Sequence, residues 1–183
     1  SRRFEIEFML PQFIKACRQL KQSYNFKISI VKASSVDDEL FSRFEGLFDT
    51  IYSDAQLDEA LKNADFSFAT SGTVNLSLAL YEVPSVIAYD LNLFNKFIAE
   101  TIVKYSGFVS IPNLILGHEV YPELLGESFS SYNLARKADS LFSSKERYGF
   151  VLEELKKLRM LTEGEDIEVS SYLINKIEEA YDE

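Results

Sequence analysis

Apolar residues recur along this chain at two alternating periods. Leu10, Phe13, Ile14, Cys17 and Leu20 fall at helical spacing, with Lys15, Arg18, Gln19 and Gln22 opposite, the stripe of an amphipathic helix. Phe26 to Val31 reads as a strand, and Ser34-Ser35 as the cap of a helix through about Phe44, stopped at Gly46. Asp49 to Tyr52 is a short strand, and Ser53 to Gln56 has capping-box spacing, opening a helix to about Asn63. A helix is expected from Asn92, with Phe94, Phe97, Ile98, Ile102 and Tyr105 on its apolar side and Gly107 at its end. The spacing then predicts a strand over Phe108 to Ile111, a loop over Leu114 to Glu119, and a helical turn at Pro122 to Leu125. Beyond it the pattern is helical only: Ser131 to Phe142, a capping box at Ser143 to Glu146 with a helix behind it, a polar joint at Thr162 to Asp166, and a last helix over Ser170 to Asp182.

The centre of this pattern is Ala64 to Asp90. Phe66 to Ala69 is a short apolar strand, Thr70-Ser71-Gly72-Thr73 a polar turn, Val74 to Tyr81 a helix, and Ser85 to Tyr89 a second strand after Pro84. Strands alternating with helices predict an α/β fold: a Rossmann-like parallel sheet with helices on both faces, followed by an all-helical C-terminal tail. The expected division is residues 1–130 for the sheet domain and 131–183 for the tail. In such sheets the turn from strand end to helix start faces the ligand crevice, where free backbone N–H groups can hold an anion. Thr70 to Thr73 is therefore either an anion site or an ordinary cap and turn.

Composition narrows the choice of partner. Of the 183 residues, 46% are hydrophobic and 14% aromatic, enough for a core. The net charge of −10 disfavours nucleic acid and anionic membranes as nonspecific partners. One histidine and one cysteine leave no His/Cys metal cluster and no intrachain disulfide, and Cys17 is expected to be a core thiol. No run reaches the roughly 18 apolar residues of a membrane span, and no signal peptide is visible, so a soluble, cytoplasmic protein is expected. The chain opens on a helix and without methionine. It is expected to be a piece of a longer polypeptide whose first strand precedes Ser1.

Several segments, taken in order, resemble the lipid-A-disaccharide synthase family of GT-B glycosyltransferases. Ser1-Arg2-Arg3-Phe4-Glu5 is similar to the family's Pro-Gly-Ser-Arg-x-x-Glu motif from its serine onward. Ala69 to Leu76 resembles its Ala-Ser-Gly-Thr-x-x-Leu turn, and Val83 to Tyr89 the strand that follows. Ile111-Pro112-Asn113-Leu114, Gly117-His118-Glu119 and Pro122-Glu123-Leu124-Leu125 are similar to its Leu-Pro-Asn, Gly-Arg-Glu and Pro-Glu-Leu-Leu segments. The likeness covers nearly all of the chain. It implies the C-terminal, donor-binding half of a GT-B fold, in an enzyme that transfers acylated glucosamine from a UDP-sugar to an acylated glucosamine 1-phosphate. The implied enzyme uses no cofactor and no metal. The resemblance also implies an N-terminal half of the same enzyme carrying the acceptor site and catalytic base, weak peripheral contact with the inner membrane through that half, and an inactive fragment alone. In GT-B proteins the last helix often crosses to the other half, so the stripe Val169, Leu173, Ile177 and Tyr181 is expected to be partly exposed and to drive self-association.

On this resemblance Arg2 is the catalytic residue, its guanidinium suited to a diphosphate, against the alternative of a frayed terminal side chain. Ser1, Ser71, Gly72, Thr73, Asn113 and Glu123 are implied to bind the UDP-sugar: Asn113 from a strand end facing the cleft, Glu123 from a helical turn near the ribose and uracil. The ordinary readings are a turn asparagine and a solvated carboxylate. Three positions depart from the pattern. Ser77 stands where the family usually has glutamate, His118 where it has arginine, and Gly126 where it commonly has glutamine. Competing readings are another UDP-sugar GT-B transferase, a UDP-sugar epimerase, or a noncatalytic α/β interaction module.

Overall fold

The computed structural model describes residues 5–70, 72–89 and 107–163. A π-helical stretch, Glu5–Met9, runs into helix α1, Leu10–Leu20, with Pro11 in its first turn, where no intrahelical N–H is needed. Strand β1, Ser29–Lys32, pairs in parallel with β2, Thr50–Ser53, in the register Ile30 to Ile51. Between them lies a short helix α2, Asp38–Ser42. Its cap is Asp37, whose carboxylate accepts the N–H groups of Glu39 and Leu40, not the expected Ser34-Ser35. The Ser34 N–H instead goes to Asp54 Oδ2, 2.9 Å away. Gln56 Oε1 accepts the Ser53 N–H at 3.1 Å, one arm of the expected capping box, ahead of helix α3, Leu57–Lys62.

The second sheet is built from the central stretch. Strands β3, Ser67–Thr70, β4, Ser85–Tyr89, and β5, Glu123–Leu125, are parallel and ordered β3-β4-β5. Helix α4, Val74–Leu80, connects the first two, and α5, Ile111–Leu116, precedes the third. Every residue of the central strand β4 is buried, as expected of a parallel strand covered on both faces. On one face Val86 and Leu124 pack with Ala16 and Leu20 of α1 and with Leu134, Ala135 and Ala138 of helix α6, Ser131–Phe142. On the other, Ala69, Ile87 and Tyr89 pack with Leu78 and Ala79 of α4, Ile115 of α5, and Val151, Leu155 and Leu158 of helix α7, Lys145–Glu163. The chain is thus an α/β protein with parallel sheets and helices on both faces of β3-β4-β5. Residues 131–163 share both of these cores with the sheet. Burying a side chain such as Leu155 or Leu158 is worth about 1.5–3 kcal/mol.

Two elements differ from the sequence expectation. Phe108 to Ile111 is not a strand: Ser110 is the extended N-cap of α5, and Pro112 sits in its first turn. Proline there is compatible with a helix start as well as with a strand end, and the helix continues through the expected loop to Gly117, which closes it at φ 72°. Pro122 to Leu125 is not a helical turn. The Ile87 N–H donates to the Pro122 carbonyl at 2.9 Å, and Tyr89 lies beside Leu125 in register; pairing with β4 outweighs any local preference of so short a segment. Farther on, α7 runs through Glu163, into the expected polar joint. It is capped by Ser144, whose Oγ accepts the Arg147 N–H at 3.2 Å, while Ser143 bonds back to Asp139. The expected helices from Asn92 and over Ser170 to Asp182 lie outside the described residues.

Candidate functional site

Parallel pairing sets Thr70 beside Ala88, so the turn leaving β3 and the end of β4 lie at the same edge of the sheet. Gly72 and Thr73 form that turn, and both are exposed. Gly72 has φ 136°, a conformation that a side chain strongly disfavours. Thr73 is the N-cap of α4, but its hydroxyl makes no capping hydrogen bond. Among the described residues the N–H groups of Gly72, Thr73 and Val74 donate to nothing, whereas those of Asn75, Leu76 and Ser77 return to Gly72 and Thr73 carbonyls. Three backbone donors and a hydroxyl at a strand's C-terminal end can hold anionic oxygens. Ser71, within this turn, lies outside the described residues, as do Ser1 and Arg2.

The other expected ligand residues have different surroundings. Asn113 is in helix α5 and 0% exposed, not at a strand end facing a cleft. Its Nδ2 donates to the Tyr121 carbonyl at 2.7 Å and to Glu123 Oε1 at 2.8 Å. Its Oδ1 accepts the N–H groups of Val120 and Tyr121, each at 2.9 Å. Both donor hydrogens and both lone pairs are used within the chain. Glu123 is half-buried on β5, and its carboxylate also accepts the N–H groups of Val109 and Ser110, each at 2.8 Å. The structure therefore brings Asn113 and Glu123 together as a clasp on the 109–110 and 120–121 loops. The helical turn expected for Glu123 is replaced by a strand whose carboxylate accepts three hydrogen bonds.

Three further polar side chains, which the sequence pattern did not single out, are buried near the turn and the clasp. Asn75 in α4, Tyr89 at the end of β4 and the N-cap Ser110 are buried, and Asn75 Oδ1, Tyr89 Oη and Ser110 Oγ make no well-formed hydrogen bond among the described residues. They are neighbours nonetheless. Burial, then the Glu123 charge, pushes the Tyr89 hydroxyl far above its ordinary pKa, while the adjoining Ser110 and Asn75 groups pull the other way. The signal available beforehand was an asparagine inside the apolar run Val74 to Leu80 and a tyrosine closing an apolar strand.

The departures are placed as follows. Ser77 is half-buried in the second turn of α4, and Gly126 follows β5 at φ 52°. His118 follows α5, its Nδ1 3.0 Å from the Leu116 carbonyl and its Nε2 3.0 Å from Glu154 Oε2 on α7. Among the described residues no helix is long and apolar enough to cross a membrane.

Parallel strands β3-β4-β5 with helices on both faces define a protein of the α/β, Rossmann-like class. The lipid-A-disaccharide synthetase family model matches residues 1–177, and the chain belongs to that family. Lipid-A-disaccharide synthase of Francisella philomiragia subsp. philomiragia is 28% identical over 184 residues, covering 96% of this chain and 48% of that protein. The enzyme of the same name from Francisella tularensis subsp. novicida, strain U112, is 27% identical over the same coverage. The chain spans about half the length of these relatives.

Proposed function

We propose that this chain is the donor-binding half of a glycosyltransferase that forms the lipid A disaccharide. The observation that carries the reading is the exposed Gly72–Thr73 turn, whose N–H groups find no acceptor among the described residues, in a chain whose family match runs over residues 1–177. In this reading the turn, with Ser71, holds the diphosphate of a UDP-diacylglucosamine. Arg2 is the catalytic residue, and with Ser1 it stabilises the departing UDP by a bidentate contact. Asn113 and Glu123 serve by holding the 109–110 loop rather than by touching ligand. Ser77 offers the ribose one hydrogen bond where a carboxylate would offer two.

The remainder of the reading concerns the whole enzyme. The acceptor is diacylglucosamine 1-phosphate, bound with the catalytic base on an N-terminal half, so this half alone does not turn over. Transfer proceeds without a metal ion, a view supported by the single histidine and single cysteine of the chain. The enzyme works in the cytoplasm at the inner membrane surface.

Titration with UDP tests the binding half of this proposal, and disaccharide formation by the intact enzyme with Arg2→Ala tests the catalytic half. Unchanged activity removes Arg2 from the site. Ser77 favours a second reading, a noncatalytic interaction module; UDP binding weaker than about 1 mM would select it.

A further inference from the structure

We propose that His118 is a pH-sensitive latch between the α5–β5 connection and α7, closed while its imidazole is charged and open once it is neutral. The latch does not rest on the donor-binding reading. His118 follows Gly117, the C-cap of α5, and reaches α7. Its Nδ1 lies 3.0 Å from the Leu116 carbonyl, and its Nε2 lies 3.0 Å from Glu154 Oε2. A carbonyl and a carboxylate can only accept, so the ring that suits both carries a hydrogen on each nitrogen, and that ring is the imidazolium. In either neutral tautomer one nitrogen is bare. Then the Leu116 carbonyl loses its donor, or a lone-pair nitrogen is left beside the Glu154 charge.

Nε2 is shielded from water and makes no aligned hydrogen bond. Its contact with Glu154 is therefore held by charge, and charge is what a rise in pH removes from an imidazole. Glu154 is buried, and its other oxygen takes the Lys157 Nζ at 2.5 Å. That hydrogen bond, before any other cause, holds the Glu154 carboxyl below its ordinary pKa, and Lys157 is raised in turn. Both keep their charges while an imidazole titrates. The other charges around the latch are Glu153 beside Lys157, and Glu119 of the same connection, 4.0 Å from Lys137 of α6. Glu146 and Arg147 line the adjoining cavity with Glu119 and Phe150. Groups of these types do not change charge in the imidazole range. The latch bears on the connection because Val120 and Tyr121, just beyond His118, donate their N–H groups to Asn113 Oδ1.

The test measures amide-exchange protection factors over residues 117–121 of the intact enzyme at about pH 5.5 and about pH 8.5, either side of the imidazole range. The parent is compared with His118→Arg, His118→Gln and Glu154→Gln. The His118 side chain is 43% exposed, so solvent screens part of the attraction. The parent is expected to lose protection there about two- to fivefold at the higher pH, the span of a partly screened ion pair, while β4 and α6 are unchanged. His118→Arg is charged at both values and should stay protected at both. His118→Gln and Glu154→Gln should be loosened at both, with no step between them.

Equal protection of the parent at the two pH values overturns the latch. A step that persists in His118→Arg overturns it equally, because the titrating group then lies elsewhere. A loss of protection spread over β4 and α6 does so as the mark of general destabilisation. His118→Gln as well protected as the parent at the lower pH is the last such result, since the charged ring would then hold nothing. If Glu154→Gln fails to fold, the two His118 variants decide the question.

Discussion

The Asn113 amide donates to the Glu123 carboxylate across 2.8 Å, tying a helix to a strand ten residues later. Both partners are engaged further: Asn113 also holds three backbone groups of Val120 and Tyr121, and Glu123 accepts two more N–H groups, from Val109 and Ser110. Asn113→Ala would leave the Val120 and Tyr121 groups buried without partners, and is expected to lower stability by about 3 kcal/mol. Glu123→Gln is expected to cost about 1–2 kcal/mol, because all three of its partners are donors and the new NH2 must face one of them. Urea unfolding of each variant measures both. Since the pair is in contact, the double variant should lose less than the sum.

Gly72 offers a cleaner probe of the turn. A Cβ there would meet nothing within 4 Å, yet φ is 136°. Gly72→Ala should therefore act through backbone strain alone, about 1–3 kcal/mol, expressed either as lost stability or as a shifted turn that binds UDP less well. Gly46→Ala, also unobstructed and without a positive φ, is the control, expected within about 0.5 kcal/mol of the parent. Thermal unfolding and UDP titration of the two variants, measured side by side, make the comparison.

Much of this arrangement was legible in the chain, and the exceptions have physical causes. The bounds of β4 and α6 match the periodicity, because four consecutive apolar positions behind Pro84-Ser85 and a long amphipathic stripe are strong local signals. Phe108 to Ile111 reads as a strand because two β-branched residues before a proline look like a strand end, while proline fits a helix's first turn equally well. The strand Glu123–Leu125 has three residues, too few to show a period, and it exists because β4 offers an edge. Asn113 and Glu123 stand as ligand residues only on the family resemblance. Their partners are backbone groups of loops that only the fold brings near, and no spacing rule foretells those.

The Glu154 carboxylate, 5% exposed, should impose a pH dependence on stability. Its pKa is lowered from 4.5, first by the hydrogen bond from Lys157 Nζ at 2.5 Å and then by the charges of Lys157 and His118, against some desolvation. A depressed carboxylate pKa contributes stability that is present above the unfolded value and lost as pH falls through the folded one. Stability should thus decline on acidification below about 4.5, the unfolded value, and Glu154→Gln should flatten that part of the profile. Chemical denaturation between neutral and acidic pH gives the slope for both proteins. Equal slopes would show that the ion pair contributes nothing.

Cys17 should be slow to react although it is not fully buried. Burial within α1 raises its thiol from 9.0 to about 11, with the Lys21 charge pulling only weakly the other way. The thiolate is the reactive form, so alkylation by iodoacetamide near neutral pH should be suppressed by roughly a hundredfold, the drop in thiolate fraction between a pKa of 9.0 and one of about 11. In denaturant the ordinary rate should return. The sign for stability follows from the same shift: the folded state prefers the neutral thiol, so this contribution is complete below pH 9 and is lost as pH rises through about 11. Cys17→Ala should lessen that alkaline loss. A native alkylation rate equal to the denatured one would show instead that the thiol is open to solvent and that α1 does not shield it.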